Sequence, residues 1–324
     1  MAKKALTTNT LMRRLRNKGV RISGSHSKND LLNYGYFHAY KGYRFVRNNV
    51  SLPISNFEEI VALVDFDNDV KSLLFPYLSF IETAVKNRAV TEIQLFCGSV
   101  DVNSAFLSAF NRFQAIPPAG PMRAEEMRER LTLETKIYES IKRELKINPI
   151  IDHFVNNSEP IPLYAVAEII DFGTLGLMLR CSNNTIRNSL SEDVGIPFSR
   201  DVNREMLYQI IFTLKDLRNA IAHNSPVFDC RFHKFPLSQP YLSLVETDTG
   251  VSHLTMNKIT DYLVLIVFLL KHLGCSKTDM KKLVRSFEET YDALCNRVSP
   301  SLASLVFVYS VPSQLSLLKG YISR

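Results

Sequence analysis

The feature that most constrains the fold is a helical repeat of apolar residues that begins near Phe57 and continues through most of the chain. Apolar positions recur at intervals of three and four residues through Ile60, Leu63 and Val64, and again within residues 73–85. No segment shows the sustained alternation of apolar and polar residues that is typical of strands. The sequence therefore predicts an all-α protein.

The same periodicity continues in the second half of the chain. Further helices are predicted near residues 123–146, 163–179, 202–224, 256–273 and 276–296, with another near the C-terminus. The run Phe172-Gly-Thr-Leu-Gly176 interrupts the second of these, and Pro226 ends the third. Residues 228–255 are polar and are expected to be irregular. The apolar run 262–270 is about half as long as a membrane span requires, so it predicts a buried helix.

The positive charge of the chain is concentrated at its beginning. Lysines and arginines exceed acids by 39 − 32 = 7, yet residues 1–50 alone contain eleven basic side chains and one acid. The remainder carries 28 bases and 31 acids, a net charge of −3. We therefore divide the chain into a basic segment at 1–55 and a helical domain at 56–324. Such asymmetry indicates a polyanionic partner, and a solvated basic surface without a ligand is the alternative.

Basic residues in this first segment alternate with aromatic ones, as in the stretch from Tyr34 to Phe45. Nucleic-acid surfaces have this composition, because phosphates bind cations and unstacked bases stack on flat rings. Most of these aromatics are nevertheless expected to pack inside a small module. The segment lacks an extended apolar face, which argues against membrane binding. The residues predicted to bind RNA are Arg13, Arg14, Arg16, Lys18, Lys41 and Arg44.

Several kinds of site are not indicated by the sequence. The five cysteines form no C-x-x-C pair, so neither a disulfide framework nor a zinc site is expected. This use of cysteine predicts a cytoplasmic location. No phosphate-binding loop and no zinc-hydrolase motif is present, so we predict no cofactor and no metal. The run Asp65-Phe-Asp-Asn-Asp69 begins like a calcium loop, but Val70 and Pro76 stand where the loop needs Gly and Glu. These acids are expected to open a helix.

A pair of residues with catalytic potential lies in the stretch DLRNAIAHN, residues 216–224, at the end of a predicted helix. Cleavage of RNA without a metal needs a base for the 2′-OH, an acid for the leaving 5′ oxygen, and a cation for the phosphate. Histidine transfers protons near neutral pH, and arginine binds phosphate with a permanently charged fork. His223 and Arg218 meet these needs, with Asn219 beside them.

The R-x-x-x-x-H spacing alone is weak evidence, because Arg21 and His26 match it too, around a Ser-Gly-Ser stretch expected to be a flexible turn. The structural alternative for Arg218 and His223 is a histidine favoured by the helix dipole and an arginine paired with a carboxylate. Residues five apart on a helix lie roughly 140° apart around its axis. A symmetric dimer would bring two such pairs into one cleft.

Four stretches together resemble the Abi (abortive-infection, Abi-like) family of HEPN proteins. Residues 31–43 resemble its L-x-x-x-G-Y-x-x-x-x-G-Y segment, and residues 80–86 its I-E-x-x-x-R helix. Residues 161–175 resemble its P-x-W-x-x-x-E-x-x-x-F-G-x-L stretch, and residues 217–224 its LRN-x-x-A-H core, which contains the HEPN ribonuclease signature RN-x-x-x-H. The stretches occur in the family's order and span about residues 11–235.

The resemblance implies a HEPN-type helical bundle with a basic N-terminal segment and additional C-terminal helices. It implies a homodimeric, metal-independent endoribonuclease in phage defence, or a toxin restrained by a protein or small-RNA antitoxin. Arg218 would stabilise the phosphate, His223 would act as acid and base, and Asn219 would support them. Glu82, with Lys86 on the same helix, would be a supporting residue that orients Arg218. The alternative is a non-catalytic RNA-binding protein held by a regulatory RNA or antitoxin.

The chain departs from the family pattern at three places. Tyr164 replaces the usual tryptophan, and Lys86 replaces an arginine, which puts a bidentate role there in doubt. Asn224 and Ser225 follow His223 where the family often has a histidine or an arginine. A second basic group next to the site is therefore missing from the local sequence.

Overall fold

The computed structural model describes residues 5–234, 237–307 and 310–324, and these residues form fifteen α-helices and one short hairpin. Residues 1–4 of the basic segment, with Lys3 and Lys4, lie outside the described part. The all-α fold expected from the sequence is confirmed. The helices of the first half are α1 Thr8–Arg16, α2 Gly24–Tyr34, α3 Phe57–Cys97, α4 Val102–Ser108, α5 Pro121–Glu144, α6 Pro149–Asn156, α7 Leu163–Ile169 and α8 Phe172–Cys181.

The second half continues with seven helices, which are α9 Asn184–Asp193, α10 Met206–Ala222, α11 Gln239–Thr249, α12 Ile259–His272, α13 Lys277–Cys295, α14 Pro300–Val306 and α15 Val311–Ser323. A π-helix, Gly35–Lys41, follows α2, and two 3₁₀ turns cover Arg47–Asn49 and Arg112–Ala115. The hairpin strands β1 Phe45–Val46 and β2 Val50–Ser51 pair antiparallel.

Helix α3 is the element around which the others are arranged. It has 41 residues, so it is about 62 Å long at 1.5 Å per residue. It begins with a capping box, in which the Asn56 side chain accepts the backbone N–H of Glu59 and the Glu59 carboxylate accepts that of Asn56. Its buried face packs against α2, α4, α7, α8, α9, α10, α12 and α13. The apolar periodicity that starts at Phe57 in the sequence corresponds to this buried face.

Helix α12 forms the centre of the C-terminal part. Every residue from Ile259 to Leu270 is buried, so the predicted buried helix at residues 262–270 is confirmed. Within the described ranges, no single helix is long and apolar enough to cross a bilayer; α14 and α15, a bent pair, reach that length and composition only together.

Helices α8 and α10 pack closely because α8 has glycine where the two meet. A Cβ atom at Gly176 would lie 2.8 Å from the ring of Phe212 on α10, which is closer than real Cβ contacts. The break predicted at residues 172–176 lies instead at Ile170 and Asp171, between α7 and α8, and residues 172–176 form the first turns of α8. Asp171 caps the new helix there by accepting the backbone N–H of Thr174.

Some predicted boundaries were wrong. Helix α10 starts at Met206 and not near 202, because the buried Asp201 carboxylate accepts the backbone N–H groups of Glu205 and Met206. The acids at 65–69 lie inside α3 and do not open a helix. The stretch after Arg21 is also helical, since α2 starts at Gly24 and includes His26, which pairs with Asp30.

Residues 228–255 are not irregular throughout, because α11 lies within them. Pro240 stands in its first turn, and Gly250 ends it with a left-handed φ of 78°. Its apolar residues Tyr241, Leu244 and Val245 are buried against neighbouring helices, α12 and α15 among them. Its apolar residues are confined to the short run 241–245 and are followed by polar residues to Thr249, so the sequence shows too few helical repeats to predict this helix.

The glycine contact predicts opposite effects for two Gly-to-Ala substitutions. Gly176→Ala should lower the free energy of unfolding by about 1–3 kcal/mol, since the methyl group would collide with Phe212. Gly320→Ala on α15, where nothing lies within 4 Å of the added Cβ, should raise it by up to about 1 kcal/mol. Urea denaturation measures both, and an equal effect at the two positions would contradict the packing argument.

Candidate functional site

Helix α10 ends at Ala222 in a Schellman motif, with His223 as the C-cap residue. Asn224 has a left-handed φ of 50°, and its N–H donates to the carbonyl of Ile221 at 3.0 Å. The N–H of Ser225 donates to the carbonyl of Ala220 at 2.8 Å. Asparagine suits this position because it tolerates the left-handed conformation better than most residues. His223 is therefore the C-terminal boundary residue of the helix, and its side chain is exposed.

A cleft of about 850 Å³ lies beside this helix end, between α5, α8 and α10. One face of α10 forms its longest wall. The lining residues on that face are spaced by three or four positions and are Tyr208, Phe212, Lys215, Asn219 and His223. The fifteen steps from residue 208 to residue 223 correspond to about 22 Å along the helix.

The structure brings Arg218, Asn219 and His223 to this one cleft. Asn219 and His223 are four residues apart, so they share a face of α10. Arg218 lies three residues after Lys215 on the same helix, and its long side chain also reaches the cleft. Arg218 is half-buried, and its Nη1 lies 3.5 Å from the Asn219 Oδ1. No carboxylate among the described residues forms an ion pair with Arg218. The alternative in which this arginine has a purely structural role, paired with a carboxylate, is therefore not observed.

Three cations that the sequence did not single out also line the cleft. Lys136 comes from α5, Arg180 from α8 and Lys215 from α10. Arg180 forms an ion pair with Glu129 at 3.2 Å, and Lys215 with Asp216 at 3.1 Å. Counting the lining residues gives four permanent cations against two acids, Glu129 and Asp171, before His223 is included. The cleft is thus positively charged, although residues 51–324 are acidic on balance.

The acid Asp171 is occupied by its role as a helix cap. Burial opposes ionisation of this carboxyl, but hydrogen bonds from the backbone and hydroxyl of Thr174, with the charge of Lys136, lower its pKa overall. It therefore stays ionised near neutral pH and is unsuited to proton transfer there. Gly173 follows it, and a Cβ at that position would lie 3.3 Å from the Cδ of Lys215. The glycine thus leaves room for the Lys215 side chain on the cleft floor.

The predicted supporting residues Glu82 and Lys86 do not line this cleft. The Lys86 ammonium lies 3.0 Å from the Glu82 carboxylate and donates to the carbonyl of Ile170 at 2.7 Å. Ile170 is the C-cap residue directly after α7, so the pair stabilises the break between α7 and α8. The structure gives Glu82 no contact with Arg218 among the described side chains, so the expected orienting role is not supported. One ammonium thus makes both contacts.

Four of the predicted RNA-binding residues form what we call the N-terminal basic cluster, Arg14, Lys18, Lys41 and Arg44. Loss of hydration, and then the charges of Lys41, Arg44 and Arg14, lower the pKa of Lys18. The guanidinium of Arg44 lies 4.3 Å from the centre of the Phe45 ring and 5.3 Å from that of Tyr40. Arg13 and Arg16 are exposed on α1, and Arg16 donates to the carbonyl of Ile22.

The aromatics of the same segment mostly pack inside, as expected. Tyr36, Tyr40 and Tyr43 are buried, whereas Phe37 is 80% exposed. The segment is held against the chain that follows α10, because Arg231 donates to the carbonyls of Gly42 and Phe45 at 2.8 and 2.7 Å.

Comparison with known proteins identifies one family. A family model described as Abi-like protein matches residues 29–229, which is more than half of the chain. The matched range runs from within α2 to just past His223, and it contains all four stretches that carry the resemblance. Helix α1 with Arg14, and Lys18 just after that helix, lie outside it, as do α11 to α15. No curated protein and no solved structure matches the chain.

Proposed function

Because the chain belongs to the Abi-like protein family, which points to abortive infection and so to phage defence, we propose that it is a metal-independent HEPN endoribonuclease. It would cut RNA by attack of the 2′-OH and leave a 2′,3′-cyclic phosphate and a 5′-hydroxyl. The observation that carries the proposal is that Arg218, without a carboxylate partner among the described residues, lines a positively charged cleft together with Asn219 and the exposed His223.

The residues of this cleft suit the separate demands of the reaction. His223, at the solvent-exposed end of α10, transfers the proton, and the guanidinium of Arg218 offsets the charge on the phosphate in the transition state. Asn219, whose Oδ1 faces the Arg218 Nη1 at 3.5 Å, steadies the guanidinium. Lys136 and Lys215 add phosphate contacts on either side of the cleft.

A second copy of the chain would complete the site. The reaction needs one group to take a proton and another to give one, and His223 supplies a single proton-transfer group per chain. The acids that line the cleft serve other purposes, since Glu129 pairs with Arg180 and Asp171 caps α8. In a two-fold dimer, two histidines and two arginines would face one phosphate. Full activity of a protein that sediments as a monomer would overturn this part of the proposal.

A non-catalytic RNA-binding protein, held by a regulatory RNA or protein antitoxin, is the second candidate. The same cations support it, because they bind the phosphate backbone whether or not the RNA is cut. The two functions differ in turnover, and the experiment below separates them.

The test is incubation of the purified protein with total bacterial RNA in EDTA, with the chemistry of the fragment ends determined. Wild type should cut the RNA and leave cyclic phosphates, and His223→Ala should lower the rate by about 10²–10⁴-fold. Arg218→Lys should also be impaired, since an ammonium cannot form the bidentate contact.

The second R-x-x-x-x-H match supplies the control for this experiment. Arg21→Lys and His26→Ala repeat the substitutions at the same spacing outside the cleft, where His26 is 87% exposed, and they should leave the rate unchanged. Equal cutting by wild type and His223→Ala would overturn the nuclease proposal. Tight binding of RNA by both proteins without cutting would favour the antitoxin-bound alternative.

The N-terminal basic cluster predicts a salt-dependent contribution to RNA binding. Lys18→Glu with Lys41→Glu should weaken binding and reduce the slope of log K against log salt, by about 0.7 for each phosphate of single-stranded RNA that the variant no longer neutralises. Fluorescence anisotropy with labelled RNA at several salt concentrations measures both. Lys281→Glu with Lys282→Glu, on the exposed surface of α13, changes the net charge equally and is the control. Equal weakening by the two pairs would mean that only net charge matters.

A further inference from the structure

A buried carboxylate joins three separate parts of the chain directly behind the end of α10. Asp67 on α3 is completely buried. Its Oδ1 accepts the backbone N–H groups of Val227 and Phe228, both at 2.7 Å. Its Oδ2 accepts the hydroxyl of Tyr43 at 2.8 Å and lies 2.7 Å from the ammonium of Lys71. Two charged, two backbone and one hydroxyl group thus satisfy one another in the interior.

The same Lys71 reaches the residue next to His223. Its ammonium donates to the Oδ1 of Asn224 at 2.8 Å, although Lys71 itself is buried and only its head group meets the helix end. Asn224 is the left-handed residue of the Schellman motif that terminates α10. The side chain that forms this bond and the backbone that turns the chain therefore belong to one residue.

We propose that Lys71 and Asn224 are positioning residues for His223. Asp67 fixes the Lys71 ammonium, Lys71 fixes the Asn224 amide, and Asn224 fixes the direction in which the His223 side chain leaves the helix. A histidine at a frayed helix end would sample many orientations, and a misplacement of about 1 Å can lower a rate by 10²-fold. The proposal rests on the proposed function for its kinetic effect. Its structural effect, a defined orientation of the imidazole, does not require RNA cleavage.

Asn224 offers a test that leaves the buried Asp67–Lys71 pair intact. Asn224→Gly keeps the left-handed backbone without strain but removes the acceptor for Lys71. Asn224→Asp keeps both the acceptor and a tolerated left-handed residue, so it is the conservative rescue. Ser158→Gly is the matched control, because Ser158 is also a left-handed, exposed residue just after a helix, with a φ of 55°, but it lies outside the cleft.

The expected kinetic result is a fall in kcat of about 10-fold or more for Asn224→Gly, with KM within twofold and the melting temperature nearly unchanged. Asn224→Asp and Ser158→Gly should retain wild-type kcat. A purely structural role would instead lower the melting temperature without a selective loss of kcat. Unchanged kcat in Asn224→Gly would overturn the proposal, as would a rise in KM alone, which would indicate that Asn224 contacts the RNA directly.

An NMR experiment separates this proposal from the function on which it rests. The imidazole signals of His223, assigned from their loss in His223→Ala, should shift in Asn224→Gly and stay in place in Asn224→Asp. If wild type does not cut RNA but these shifts occur, the nuclease proposal fails and the positioning proposal stands. If wild type cuts RNA and the His223 signals are the same in all variants, the positioning proposal fails alone.

Discussion

The carboxylate of Asp67 is the interaction on which the arrangement of the N-terminal segment, the central helix and the end of α10 depends. A buried charge is costly unless it is paired and fully hydrogen-bonded. Asp67 meets this condition only when Tyr43, Lys71 and the backbone at 227–228 are all in place. Lys71 is four residues away on the same helix, but Tyr43 and the backbone at 227–228 are distant from Asp67 in sequence. The carboxylate is therefore fully hydrogen-bonded in one arrangement of the chain, and in other arrangements its burial would carry a large desolvation cost. We infer that this ion pair contributes to the specificity of the fold more than to its net stability.

This arrangement explains why a basic, aromatic N-terminal segment accompanies a helical domain. The ring of Tyr43 stacks on Phe228 with centres 5.4 Å apart, while its hydroxyl reaches Asp67. The segment thus covers the chain just beyond His223 and excludes water from the buried ion pair. Its basic side chains remain at the surface, where a phosphate backbone can reach them. One segment therefore combines a packing role for its buried tyrosines with a charged exterior, and the two interpretations of its composition do not compete.

The sequence predicted the helices better than their contacts. Local periodicity was sufficient for α3, α10 and α12, because each has one long apolar face or is apolar throughout. It failed at the start of α10, where the carboxylate of Asp201 in the preceding loop caps the helix, and at α11, where polar residues follow a short apolar run. The motif located Arg218, Asn219 and His223, which lie within one helical segment. Lys136 and Arg180 come from other helices, and no pattern within α10 could have revealed them.

Asn224 shows how a local departure from the family pattern is to be understood. In the sequence, it stands where the family often has a basic residue, so the local sequence has no cation directly after His223. In the structure, the same residue has the left-handed conformation that ends α10, a conformation that asparagine tolerates better than histidine or arginine does. Positive charge reaches the cleft from Lys136 and Lys215 on two different helices. The positive charge of the cleft and the backbone turn after His223 are thus supplied by different residues. Asparagine at 224 therefore leaves out a local cation without making the cleft acidic.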